Sequence, residues 1–181
     1  PELSPRDRSL VTISVLIATG KQAQLEGHLG RALSNGVLPT EASGVLAHLA
    51  VYGGWPSAVS ALEVYDRVYT ARKVDTSSLA AVVPPVAAPA SDAGRARGVN
   101  EQFATIAPKF AQLTNDVVFG QPWRRAYLTV RDRSLVTIAA LGVIWIVQAP
   151  AVLAAFDPRH AVTFFLVNGF VGFAAHLETT G

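Results

Sequence analysis

His28, Arg31 and Asn35 stand at i, i+3 and i+7, the spacing that puts three side chains on one face of a helix. A titratable imidazole, a permanent cation and an amide would then lie side by side. Arg31 could grip a carboxylate through both arms of its guanidinium, and His28 could deliver a proton. The plainer reading makes His28 a satisfied core or interface histidine and Arg31 half of a surface ion pair; spacing alone does not separate the two. His48, Tyr52 and Trp55 fall at i, i+4 and i+7 and could wall the same pocket if one helix reaches that far. Aromatic residues beside a Gly53-Gly54-Trp55-Pro56 kink usually just pack. Arg6 and Arg8 flank Asp7 at a helix start, where the dipole does not favour cations. They therefore invite a tertiary partner, either an anionic substrate or carboxylates across a subunit contact. Glu26 and Glu41 read as surface or capping residues. The amine of Pro1 reads as a frayed terminus rather than a base. No carboxylate has ligand spacing to His28 or His48, so no metal site is expected.

The arginines belong to a segment written twice. Arg6-Asp7-Arg8-Ser9-Leu10-Val11-Thr12-Ile13 recurs letter for letter as Arg131-Asp132-Arg133-Ser134-Leu135-Val136-Thr137-Ile138, and Leu3 matches Leu128 in the same register. Such identity signals two copies of one structural unit, at least in part. Each copy opens on a capping pattern, Ser4-x-x-Asp7 and Thr129-x-x-Asp132.

The elements that must hold these residues are helical. After the first cap, Leu10, Ile13, Leu16 and Ile17 repeat at helical spacing up to a stop at Gly20. A second helix is predicted over Ala23–Ser34, closed by Asn35-Gly36, a third over Thr40–Tyr52 and a fourth over Ser57–Lys73. Val74 to Gly98 is rich in Ala, Pro and Ser and reads as an extended linker. Asn100 to Leu113 returns to an amphipathic helical pattern, and Gly120-Gln121-Pro122-Trp123 reads as a turn before the second cap. No run alternates as a strand does, so the expected class is all-α.

Composition narrows the function classes. The 181 residues are half hydrophobic and 15% charged, ample for a core and too apolar for a disordered chain. The net charge of +2 leaves no footprint for nucleic acid. Without cysteine there is no disulfide, thiolate or cysteine-bound metal, which suits a reducing, cytoplasmic compartment. The polar residues 1–7 show no signal pattern, and Pro1 is expected to follow a removed initiator. The uncharged run Leu135–Phe156 has the length of a membrane span, and Ala161–Ala175 is a second uncharged run. Because the first run opens as the first-copy helix does and contains Pro150, a buried helix pair is preferred to a span.

Three motifs in order bring a family into view: Leu3-Ser4-Pro5-Arg6-Asp7-Arg8-Ser9-Leu10-Val11-Thr12, His28-Leu29-x-Arg31-Ala32-Leu33-x-Asn35-Gly36, and His48-Leu49-Ala50-x-Tyr52-x-Gly54-Trp55-Pro56. Over residues 3 to 73 the chain resembles the carboxymuconolactone decarboxylase family, in the alkylhydroperoxidase D-like superfamily. Ala107-Pro108-Lys109-Phe110 to Phe119-Gly120 resembles the helix before the family's Arg-Asp-Arg motif. Lys21 and Gln24 stand where the superfamily's peroxidases carry two cysteines, and Ser9 where they carry a glutamate, so dithiol peroxidase chemistry is absent. After Ile138 the second copy departs from the pattern. Val171-Gly172-x-x-Ala175-His176-Leu177 faintly echoes Ser43 to Leu49, as a decayed copy or a changed reading frame would leave it.

The resemblance implies an all-α, alkylhydroperoxidase D-like helical bundle with two partial repeats: a first repeat over 1–73, a linker over 74–98 and a divergent second repeat over 99–181. It implies cofactor-independent decarboxylation of a small carboxylated lactone or related keto-acid. His28 would be the acid and Arg31 the carboxylate anchor, with Arg6, Arg8, Asn35, His48, Tyr52 and Trp55 as substrate-binding residues. It also implies homo-oligomers, trimers or hexamers, with sites near subunit contacts. The alternative is a non-catalytic helical oligomerisation or binding module derived from the same fold.

Overall fold

The computed structural model describes residues 3–80 and 83–155, with the side chains of Ser78, Ala80 and residues 148–155 left aside. The chain divides into two compact units, 1–144 and 145–181. All described regular structure is helical. The first unit holds α1 (Pro5–Ala18), α2 (Gln22–Ser34), α3 (Pro39–Tyr52), α4 (Trp55–Ala71), α5 (Asp92–Phe103), α6 (Pro108–Leu113) and the start of α7 (Val130–Ala155). Residues 145–155 of α7 are the described part of the second unit. The echo at 171–177 and the run 161–175 lie outside the described residues. Among the described residues no helix is long and apolar enough to cross a membrane.

Local chemistry fixes the first four helices. The Ser4 hydroxyl accepts from the Asp7 amide at 3.0 Å, with Pro5 in the first turn, and Gly20 leaves α1 at φ +67°. The Glu41 carboxylate accepts from the Leu38 amide at 2.8 Å and so caps α3. Between α3 and α4 the chain turns through Gly54 at φ +93°, which only glycine adopts without strain. Trp55 therefore begins α4 instead of extending α3. Each helix sends a stripe into one core: Leu10, Ile13 and Ile17 from α1, Leu25 and Leu29 from α2, Val45 and Leu49 from α3, Val64 and Val68 from α4. Burial of such side chains contributes roughly 1.5–3 kcal/mol each.

The segment after α4 is shorter in extended structure than its composition suggests. A 3₁₀ turn occupies Ser77–Ala80 and α5 already begins at Asp92. The amphipathic run 100–113 is not one helix: α5 ends at Phe103 and α6 starts at Pro108, since proline has no amide to continue the ladder. A wide turn over Thr114–Phe119 and a 3₁₀ turn over Pro122–Arg124 lead to α7.

The second octapeptide docks on the first by exchanged ion pairs. Arg6 donates to both Asp132 oxygens at 3.2 and 2.9 Å, and Arg131 donates to both Asp7 oxygens at 3.0 and 2.9 Å. Arg6 also reaches Glu41 at 2.6 Å. Burial pushes the Asp132 carboxyl up, but its bonds from Arg6 and Thr129 and the two arginine charges outweigh burial and hold it below the usual range. Arg131 does the same for Asp7, against burial. Both aspartates thus contribute stability that is present above their unfolded pKa near 3.8 and is lost as pH falls through the lower folded values. Leu128, Val136 and Ala140 then complete the core, and Gly44 lets α3 approach, since a Cβ there would stand 3.1 Å from that of Tyr127.

The two pairs differ in burial, and so should their mutants. The Asp132 side chain is 3% exposed while Arg131 is 61% exposed. Asp132→Ala leaves the largely buried Arg6 guanidinium with Glu41 and a more distant Asp7 at 3.7 Å, and should cost about 2–4 kcal/mol in urea unfolding. Asp7→Ala leaves the exposed Arg131 to water and to Asp132 at 3.6 Å, and should cost clearly less. The reverse order would show that the exchange does not dock α7.

Candidate active site

Helices α1 and α2, joined by a tight connection, pack as a hairpin, so the start of α1 faces the end of α2. Pro5, Arg8, Ser9 and Thr12 recur at helical spacing on one side, and His28, Arg31 and Asn35 on the other. Together they line a cleft of about 300 Å³ open to solvent. The helices' other stripes, Leu10 and Ile13 with Leu25 and Leu29, are held in the core and fix these faces toward each other.

The hydrogen bonds inside the cleft decide which groups are free to act. Asn35 Nδ2 donates to Ser9 Oγ at 3.0 Å, and Ser9 Oγ donates to the Pro5 carbonyl at 2.9 Å. Thr12 Oγ1 donates to the Arg8 carbonyl at 2.8 Å. Both hydroxyl protons are committed, so neither Ser9 nor Thr12 is a ready acid. Arg8 spends one arm on the Leu3 carbonyl at 2.6 Å. His28 and Arg31 have no hydrogen-bond or ion-pair partner among the described residues. The cleft thus combines two guanidinium groups from opposite walls, a free imidazole and an amide, with no carboxylate to neutralise them. Such a set can bind an organic anion and pass it a proton.

The other expected site residues lie elsewhere. Arg6 is spent on Asp132 and Glu41. Trp55 is 71% exposed on α4 and lines a different groove, because the turn at Gly54 breaks the helix on which the i, i+7 relation depends. His48 and Tyr52 share α3 as expected, but His48 faces Thr137 of the second octapeptide and Tyr52 faces Trp123, and neither lines the cleft. His48 Nε2 lies 2.8 Å from Thr137 Oγ1, which donates its own proton to the Arg133 carbonyl at 2.8 Å. That hydroxyl accepts from His48, which puts a proton on Nε2. The imidazole packs on Tyr52 and edge-on to Trp123, with ring centroids at 5.0 and 5.1 Å, and Trp123 Nε1 donates to the Tyr52 hydroxyl at 2.5 Å. Among the described residues no three His, Asp or Glu side chains gather as metal ligands.

Sequence reasoning missed Ser9 and Thr12 as cleft residues, and Trp123 and Thr137 as the cover of His48. The first two were signalled by their helical spacing from Pro5 and Arg8. The second two carried no local signal, because only the docking of the second octapeptide brings them to α3.

Burial, then the charge of Arg133, lowers the His48 pKa to about 4, with the Pro122 carbonyl pulling weakly the other way. The unfolded state therefore binds the proton first. His48 contributes stability that is whole above pH about 6.5 and lost as pH falls to about 4, on the order of 3 kcal/mol. His48→Gln should flatten the stability–pH curve in that window while leaving the steeper loss below it to Asp7 and Asp132. An unchanged slope in the variant would show that His48 is not buried neutral.

Residues 1–67 match the sequence model of the Carboxymuconolactone decarboxylase family. Over 69 residues the chain is 36% identical to the 4-carboxymuconolactone decarboxylase of Acinetobacter baylyi, a match covering 38% of this chain and 52% of that protein. Over 67 residues it is 36% identical to a nitrosuccinic acid decarboxylase of Metarhizium robertsii, covering 37% and 47%. The chain thus spans about half the length of the curated relatives it matches. The matched segment 1–67 holds the whole α1–α2 cleft, so the similarity to this family falls on the candidate site.

Proposed function

We propose that the α1–α2 cleft decarboxylates a small carboxylated lactone or related keto-acid without a cofactor. The observation that carries this reading is the meeting of Arg8, His28, Arg31 and Asn35 around one solvent-open cleft with no internal carboxylate. Both named relatives are decarboxylases of small organic acids, which supports the reaction class.

In this reading Arg31 anchors a substrate carboxylate and Arg8 contributes a second cation from the facing helix. The carbon–carbon bond to the departing carboxylate breaks, carbon dioxide leaves, and the electron pair moves into the conjugated carbonyl as an enolate. Donors such as the Asn35 amide and the guanidinium groups stabilise that developing charge. Protonated His28 then gives its proton to carbon, closing the balance. Arg6, His48 and Tyr52 act as structural supports, and Trp55 lies outside the site. Assembly as a homo-oligomer and a cytoplasmic location belong to the same proposal. A second reading, a helical binding module without turnover, is favoured by the large apolar side chains left exposed on α4 and α6.

Carbon dioxide release from 4-carboxymuconolactone tests the reading. His28→Ala should lower kcat about 10²–10⁴-fold. Arg31→Ala should act mainly through KM, by about 10–100-fold. His48→Gln should leave kcat within a few-fold at pH 7. Full turnover in His28→Ala would remove it as the acid, and no release by the folded parent protein would favour the binding module.

A further inference from the structure

The two walls of the α1–α2 cleft are tied by hydrogen bonds in series. Ser9, 7% exposed, donates its hydroxyl proton to the Pro5 carbonyl at 2.9 Å, one helical turn back. A hydroxyl has one proton, so toward α2 the same oxygen can only accept. Asn35 Nδ2 lies 3.0 Å from it, and the committed proton fixes which edge of the amide turns to Ser9: the nitrogen, not Oδ1. Asn35 stands just past the last turn of α2, and nothing else among the described residues bonds its side chain. The second octapeptide carries the same serine without the partner. Ser134 Oγ donates to the Val130 carbonyl at 3.1 Å, and no amide among the described residues donates to it. The back-bond is thus a property of the helix, while the Asn35 bond belongs to the cleft.

We propose that Ser9 is a positioning residue for the chemistry of the cleft, holding the Asn35 amide with one N–H spent on α1 and the other kept for the charge that develops on the substrate. The proposal rests on the decarboxylase reading. Its physical basis is a difference among the cleft's polar groups. The guanidinium groups of Arg8 and Arg31 carry donors alone, so they cannot turn a wrong edge to an anion. An asparagine amide can: its last torsion is broad and nearly two-fold, and turned over it offers Oδ1, which repels an enolate. A donor fixed beforehand needs no reordering as the charge forms, so its effect falls on the transition state. Removing Ser9 therefore leaves the carboxylate anchors in place and acts on kcat, with KM nearly unchanged.

Two measurements on the full chain test it: carbon dioxide release from 4-carboxymuconolactone, and nuclear magnetic resonance of the ¹⁵N-labelled Asn35 amide. Asn35→Ala should lower kcat about 10²-fold, as loss of one such donor does, and Ser9→Ala about 10-fold. KM in Ser9→Ala should stay within about twofold of the parent's. In the Asn35→Ala background Ser9→Ala should cost nothing further, since Ser9 acts through that amide. Ser134→Ala removes the same back-bond from the second octapeptide and should keep the parental kcat. The resonances read the orientation without turnover: Ser9→Ala should move one of the two Asn35 Nδ2 protons upfield and leave its twin. Parental kcat in Ser9→Ala, equal losses in Ser9→Ala and Ser134→Ala, or an unmoved proton pair would each overturn the positioning role while carbon dioxide release by the parent kept the decarboxylase reading. No release by the folded parent, with the proton shift present, would overturn both and mark the decarboxylase reading as the part that failed.

Discussion

The exchange of ion pairs between Arg6-Asp7 and Arg131-Asp132 is the constraint on which the first unit depends. Each carboxylate takes its hydrogen-bonded cation from the other octapeptide, at 2.9 Å, while the arginine of its own octapeptide stands further off, at 3.6–3.7 Å. A partly buried pair of this kind adds little net energy over an apolar contact, but misaligning it strands a charge. Its effect is register. With the exchange in place, Leu128, Val136 and Ala140 fall into the core, Thr137 meets His48, and Trp123 closes over Tyr52.

The two octapeptides make the same local bonds and have opposite fates. Each caps its own helix through Ser4 or Thr129, each sends its third arginine-motif side chain back to a leucine carbonyl, and each serine and threonine bonds four residues back. Yet Arg133 is 2% exposed beneath its neighbours while Arg8 stands at an open cleft. Covering one copy with α3 creates a dry, neutral imidazole at His48. Leaving the other uncovered creates a wet, cationic site around His28. The buried histidine and the cleft histidine are thus separated by which octapeptide each one faces.

Much of this was legible in the residues. Caps, glycine stops and apolar spacing located the first four helices within a few residues, because those signals act within a turn or two of the chain. The grouping of His28, Arg31 and Asn35 followed from helical spacing for the same reason. What could not be read was tertiary. Arg6 and Arg8, two residues apart in one motif, part company because only Arg6 reaches Asp132. Trp55 left the expected wall because Gly54 turns the chain by a positive φ that spacing arguments ignore. The apolar run from Leu135 has the length of a membrane span, and the preference for a buried helix rests on its likeness to α1; which of its residues, Val136 and Ala140, close the core was not legible because the docking is tertiary.

The central claim is that the His28 cleft, and not the His48 cluster, receives the acidic substrate. The most direct measurement is nuclear magnetic resonance of ¹³C-labelled histidine side chains, assigned with His28→Gln and His48→Gln, during titration with a non-reactive saturated carboxylated lactone. The account predicts saturable movement of the His28 resonances, with His48 unmoved. Movement of His48 with His28 unaffected would contradict it.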